Sequence, residues 1–403
     1  MKKIINNFQL MLIALSIIMN EGFFYLLGST ETTVEKNLSY VIAIGIFYVF
    51  VLIYKKMWKN FNFRYHIIAL VILIFISPFN TDYIYGQPVY IGYKLIICYT
   101  MYLNYFFVSY FINKNNKNKE IFIKTLICIS ICGGLLYILQ YYQYPQIILK
   151  GLDYRLNFRF DKPRLYVGTI LFSIAFFLSF TKLIFGEKSK FKSKIFHVIS
   201  CVINILVLVI VIKTRTIVIS LTICAMILVF IKIKNSKFTK SIIFVVCCVP
   251  ISISLLNSTT IQNMLELTQN NDLSISARVN EIEFYKEQFT SNPIMGRGEV
   301  HKILFSNIDG NAYKMYLDDL GIMGFFVKFG LIGAFIILLI IFKIINICKI
   351  RTKIKTDKYF IIIMFIYLGI VGLFIPYLDF PDSILYISIV LAYADNLKLQ
   401  ELR

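Results

Sequence analysis

Charge is scarce in this sequence: 16 % of the residues are Asp, Glu, Lys or Arg, against 58 % hydrophobic, and the mean hydropathy is +0.72. A chain of 403 residues with so little charge cannot clothe itself in a water-compatible surface, which excludes an ordinary soluble protein. Histidine is rarer still, with three in the chain, and no His, Cys, Asp or Glu spacing suits zinc or a hard cation. No metal and no other cofactor is therefore expected. The eight cysteines, at 98, 128, 132, 201, 224, 247, 248 and 348, fall in or at the inner ends of apolar runs, so no disulfide framework is implied. Half-to-half similarity is missing too, and so are the midplane charges expected of a transporter built from repeats. The first apolar run is too long for a cleavable signal peptide, and too polar at Asn20–Glu21.

What is present is a series of apolar stretches of roughly the 17 to 25 residues that a helix needs to cross a bilayer. About twelve are counted: 4–27, 38–54, 65–79, 89–112, 121–141, 163–185, 195–213, 216–233, 241–256, 320–343, 359–376 and 382–396. The third, ninth and twelfth are short. The expected fold is an all-α polytopic integral membrane protein. Its helices 1–9 fall within 1–256, an extracytoplasmic loop or lid with short helices spans 257–320, and helices 10–12 with a cytoplasmic tail fill 321–403.

Orientation follows from the basic residues, because short loops rich in Lys and Arg stay on the cytoplasmic side. With Met1 inside, the inner segments hold Lys2–Lys3, KKMWKNFNFR, NKNNKNKE, GEKSKFKSK, IKIKNSKFTK, KIINICKIRTKIKTDK and the C-terminal tail. These gather most of the 42 Lys and Arg and few of the 22 Asp and Glu. The expectation is a multi-pass protein of a bacterial cytoplasmic membrane, with both termini cytoplasmic and loop 257–320 outside. The net charge of +20 then belongs to the inner face of the lipid bilayer, and no nucleic-acid partner is implied. Glu21 is costly within the first span and is expected to pair with a lysine such as Lys94.

The polar loop is the only long soluble stretch. Ser276 reads as an N-cap, and Val279, Ile282, Tyr285 and Phe289 recur at helical spacing until Pro293, which puts Arg278 in the first turn of a lid helix. Gly296–Arg297–Gly298 reads as a turn whose backbone amides could approach a ligand closely, and a second helix is expected to start near Asn311. Two other outer segments carry arginine. Arg155, Arg159 and Arg164 stand among Tyr141, Tyr142, Tyr144, Tyr154, Phe158 and Phe160, and Lys213 and Arg215 form the tip of a tight hairpin. Such residues are commonly interfacial anchors and snorkelling cations. Arginines beside stacking rings on the outer face are also what a diphosphate flanked by sugars requires.

At this point the residues resemble a family. Thr214–Arg215–Thr216 opening a span looks like the Ser-Arg motif of the O-antigen polymerase and O-antigen ligase superfamily. Ser276-Ala277-Arg278, the run Asn292 to Gly298, Asn311-Ala312-Tyr313 and Leu320 to Gly324 are similar to its large outer loop and the return into the next span. The resemblance covers about 210–335, with the region of Arg164 in weaker agreement, and it implies a GT-C-like helical fold. Ligases of this kind carry His-Asn where this chain has Gly310–Asn311, which favours a polymerase.

The resemblance implies transfer of a glycan from undecaprenyl diphosphate to a hydroxyl of another lipid-linked repeat unit. Fixed cations would stabilise the leaving diphosphate, since preorganised charge is often the largest catalytic contribution. Arg215 and Arg278 are the catalytic candidates, with Asp319 to take the acceptor's proton. Asp319 is ranked above Asp318, because neighbours on a helix diverge by about 100°. Arg155, Arg159, Arg164, Arg297, Asn311 and Asp318 are the substrate-binding candidates, and His301 is a weaker candidate base. Partners implied are undecaprenyl-diphosphate-linked oligosaccharides, a chain-length regulator and a flippase. A ligase-type glycan transferase and a lipid-linked oligosaccharide transporter stand as alternatives.

Overall fold

The computed structural model describes residues 2–21, 31–54, 61–144, 146, 148, 156–159, 162–165, 168–186, 191–233, 273–301, 304, 320–349, 355–378 and 380–401. The expected span 241–256, the expected helix near Asn311, and Arg155, Asn311, Asp318 and Asp319 lie outside these residues.

The described chain is almost entirely helical. The helices are α1 (Lys2–Asn20), α2 (Glu31–Tyr54), α3 (Arg64–Tyr85), α4 (Val89–Ile96), α5 (Asn104–Asn113), α6 (Asn116–Gln143), α7 (Thr169–Phe185), α8 (Phe191–Leu206), α9 (Arg215–Lys232), α10 (Leu273–Ser291), α11 (Ile322–Lys349), α12 (Lys355–Gly372) and α13 (Pro381–Glu401). Five stretches are long and apolar enough to cross a membrane: Arg64–Tyr85, Val89–Asn113, Asn116–Gln143, Phe191–Ile212 and Ile322–Lys349. The chain is a helical membrane protein.

The stripe on α11 shows how such a helix divides its faces. Leu331, Phe335, Leu338, Phe342 and Ile345 are exposed, while Gly333, Ile336, Ile337, Ile340, Ile344 and Ile347 are buried. Both stripes are apolar and both follow helical spacing, so one meets protein and the other meets lipid. Helix α13 lies at the centre: nearly all of Ser383–Leu397 is buried, packed against α5 and the 3-10 segment Ile97–Leu103 that joins α4 to α5.

Two expected boundaries are corrected. The stretch 163–185 does not begin as a helix, because Leu156–Arg159 (β1) and Lys162–Leu165 (β2) pair antiparallel, Asn157 facing Arg164 and Arg159 facing Lys162. Lys162 precedes Pro163, and a residue before proline is pushed out of the helical region, so the segment is extended until Gly168 starts α7. The helical class stands, with this one short ladder as a local departure from it. The helix expected after Ser276, α10, begins at Leu273, with Ser276 inside it and not at its N-cap. A serine within a helix costs only about half a kcal/mol, and Leu273 and Ile275 extend the apolar pattern upstream. Arg278 thus sits in the second turn.

The bundle has two chemically distinct ends, connected by α13. At one end Asp395 accepts from the Asn62 backbone amide (3.0 Å) and from Asn113 Nδ2 (3.2 Å), and Lys119 pairs with Asp357 (2.5 Å), which also accepts from Tyr393. That end holds the starts of α3, α6, α8 and α12 and the finish of α5 and α7, with Lys114, Lys119, Lys182, Lys192, Lys355 and Lys398. The other, termed the loop end, holds the finish of α1, α3, α6 and α12 and the start of α7, with α10 and the segment 292–301.

Candidate functional site

At the loop end, residues 293–298 insert beside a break in α11. Gly330 adopts φ 61° and ψ −163°, which interrupts the helix and would orphan the backbone groups around it. The inserted segment satisfies them: Arg297 N donates to Val327 O (2.9 Å) and Gly298 N to Lys328 O (2.9 Å), while Leu331 N donates to Pro293 O (2.8 Å) and Ile332 N to Ile294 O (3.1 Å). Irregular backbone within a membrane bundle survives only where protein satisfies it in this way.

This corrects the reading of Gly296–Arg297–Gly298 as a ligand cradle. The amides of Arg297 and Gly298 are spent on α11, and the Arg297 carbonyl accepts from Thr81 Oγ1 (3.0 Å). Gly298, with φ 76°, lies so close to α3 that a Cβ there would meet Ser77 O at 2.8 Å and Thr81 Oγ1 closer still. The glycines serve close packing between segments of the chain.

A buried polar group forms around the insertion. Lys328 pairs with Glu299 (2.8 Å), Tyr99 donates to the same Glu299 carboxylate (2.9 Å), and Lys328 Nζ donates to Tyr99 Oη (3.5 Å). Gln87, from the turn after α3, donates to Glu299 O (3.0 Å) and accepts from the His301 amide (2.8 Å). Asn80 donates to Gly296 O. The Arg297 guanidinium is 2 % exposed; it donates to Gln288 Oε1 (3.0 Å) and lies 4.9 Å from the centre of the Tyr285 ring. Burial pushes the Tyr285 phenol above its ordinary range, which the Arg297 charge beside it partly offsets and Glu281 reinforces. Arg297 is thus engaged with α10 inside the protein.

The other arginine segments meet elsewhere at the same end. After α8, a π-helical turn (Val207–Ile212) leads to Lys213 in the left-handed conformation, φ 52°, and Thr214 caps α9, whose first residue is Arg215. A non-glycine residue held there is a strained position of the kind that gathers at functional sites. Lys213 Nζ sits 4.6 Å above the ring of Tyr141, at the end of α6. Strand β2, with Arg164, packs against the 207–212 turn and against α6. For Arg159, Arg164, Arg215 and Arg278 it is the backbone that is described.

Beside Gly168, at the start of α7, Glu21 is fully buried at the end of α1. Its carboxylate accepts from Tyr386 on α13 and packs against Gly168, and its carbonyl accepts from Tyr137 (2.7 Å). The expected partner Lys94 is exposed on α4, so that pairing is corrected: hydroxyls and the start of α7 surround Glu21 instead. The structure therefore brings the Arg164 strand together with the turn that leads to Lys213 and Arg215, seats Glu21 against the start of α7, and places Arg297 in a separate polar group with Lys328, Glu299 and Tyr99.

Sequence reasoning missed Lys328, Glu299, Tyr99 and Glu281. Lys328 gave a signal, since it is an ionisable residue well inside an apolar span. The six described cysteines are free thiols, and among the described residues no group of three metal-ligating side chains occurs. Comparison with protein-family models and with curated proteins finds no match to this chain.

Proposed function

We propose that this chain is a membrane glycosyltransferase that polymerises lipid-linked oligosaccharide repeat units on the outer face of a bacterial cytoplasmic membrane, in capsule, exopolysaccharide or O-antigen synthesis. The observation that carries the reading is the packing of the Arg164 strand against the turn that presents Lys213 and Arg215. Two basic segments about fifty residues apart in sequence share one place at the end of an apolar bundle, where the headgroup of a lipid-linked diphosphate would lie.

The reading takes the lysine-rich end as cytoplasmic and the loop end as external, in keeping with the retention of positive loops inside. It counts about twelve spans: the five long apolar stretches, α1, α2, α7, α9, α12 and α13, and the expected span 241–256, which lies outside the described residues. In the reaction, a hydroxyl oxygen of the acceptor repeat unit bonds to the anomeric carbon of the donor glycan. The bond from that carbon to the diphosphate oxygen breaks, and undecaprenyl diphosphate leaves with the bonding pair. The hydroxyl proton passes to a carboxylate, for which Asp319 is the candidate. Arg215 and Arg278, with Arg159 or Arg164, balance the charge that grows on the diphosphate, a role in which a bidentate fork outperforms a point charge.

Disrupting the gene in a polymer-producing cell tests the reading. Single repeat units on their carrier should accumulate on the outer face in place of long polymer. Full-length polymer left unattached to its final acceptor would indicate a ligase, and repeat units trapped on the inner face would indicate a transporter.

A further inference from the structure

The lid helix α10 is held by one face. Glu281 and Tyr285 are buried and Gln288 is half-buried, while Glu283, Lys286 and Glu287 are exposed, so the stripe 281–285–288 faces the bundle. Arg278 falls on the same stripe by spacing, three residues before Glu281 and seven before Tyr285, which on a helix is within about 20° of Tyr285. Arg297 grips this stripe at two points, Gln288 Oε1 at 3.0 Å and the Tyr285 ring at 4.9 Å, and Tyr85 of α3 also reaches Gln288 (3.4 Å). The backbone of Arg297 is fixed in turn on Val327 and Thr81.

We propose that Arg297 is a positioning residue: it latches α10 to α3 and the broken helix α11, and so holds the Arg278 face of the lid over the bundle without itself touching the diphosphate. A guanidinium suits the task, because it donates in plane to an amide oxygen while stacking on an aromatic ring, and lysine does only one of these well. The role in catalysis rests on the polymerase reading; the latch itself does not.

The test uses the full chain in lipid nanodiscs, with backbone hydrogen exchange read across 281–291. Arg297→Ala and Gln288→Ala should each speed exchange there roughly tenfold, the double variant should exchange no faster than Arg297→Ala, and Arg297→Lys should fall between. Exchange in the second half of α11 should not change, whereas a general loss of structure would speed it as well. In the activity arm, with the host's own undecaprenyl-diphosphate-linked repeat unit as probe, Arg297→Lys should lower kcat and leave KM within about twofold. Unchanged exchange in 281–291, or a raised KM with exchange unchanged, overturns the latch. If Arg297→Ala fails to fold, Gln288→Ala and Tyr285→Leu decide the matter by the same readout. A wild type that lengthens nothing would refute the polymerase reading while the exchange result still judges the latch.

Discussion

Replacing Gly330 by alanine should release the 293–298 segment from the membrane body. At φ 61° and ψ −163° the backbone is in a region essentially reserved for glycine, where a side chain costs about 1–3 kcal/mol. A Cβ there would lie 2.5 Å from Gly296 N and 2.6 Å from Ile294 C, with Ile294 O closer still. All are backbone atoms that cannot rotate away. The segment could avoid them only by giving up its four backbone hydrogen bonds to α11, each contributing about 1 kcal/mol. The combined loss of about 5 kcal/mol is comparable to the whole stability of many domains. Gly330→Ala should therefore lower the melting temperature in detergent and erase exchange protection at Arg297, Gly298, Leu331 and Ile332. Gly369→Ala is the control, since its added Cβ meets nothing within 4 Å; in an exposed helical position it should be neutral or gain up to about 1 kcal/mol. Equal stability of the Gly330 variant and the control would refute the interlock.

Lys328→Met should cost about 3 kcal/mol by stranding Glu299, and adding Glu299→Gln should recover most of it, as read by thermal unfolding. Arg278→Lys should retain a small part of polymer formation and Arg278→Ala almost none at normal membrane expression, as read from polymer length on gels. In a background lacking the native cysteines, an impermeant thiol reagent on intact cells should label Ser291→Cys and spare Lys355→Cys, both exposed positions. The reverse pattern would invert the orientation.

The membrane class was legible because apolar composition and run length follow directly from the solvent. Boundaries were less legible wherever the backbone departs from a helix inside an apolar run. The 3-10 segment 97–103 and the break at Gly330 leave hydropathy unchanged, since irregular backbone is stabilised by partners distant in sequence such as Tyr102 to Leu378 O (2.5 Å) and Arg297 to Val327. Local chemistry misled at Gly296 and Gly298, where glycine signals close approach but does not say to what. It misled again at Ser276, a good N-cap that the apolar pattern upstream overrode. The same shift moved Arg278 from the first turn of α10 to the second, and its case rests on the spacing that it shares with Tyr285. The hairpin tip at Lys213–Arg215 was visible as two apolar runs with almost nothing between them. Its meeting with β2 was not, because no pattern in either segment encodes the other.

The central claim, that the loop end joins lipid-linked repeat units, is tested most directly by reconstitution. The purified chain in liposomes would receive undecaprenyl-diphosphate-linked repeat units from the producing cell, with a chelator present throughout. Products should form a ladder of longer lipid-linked chains with release of undecaprenyl diphosphate, and the ladder should vanish with Arg215→Ala. Repeat units that remain single at every protein concentration, or that lengthen equally well with Arg215→Ala, would contradict it.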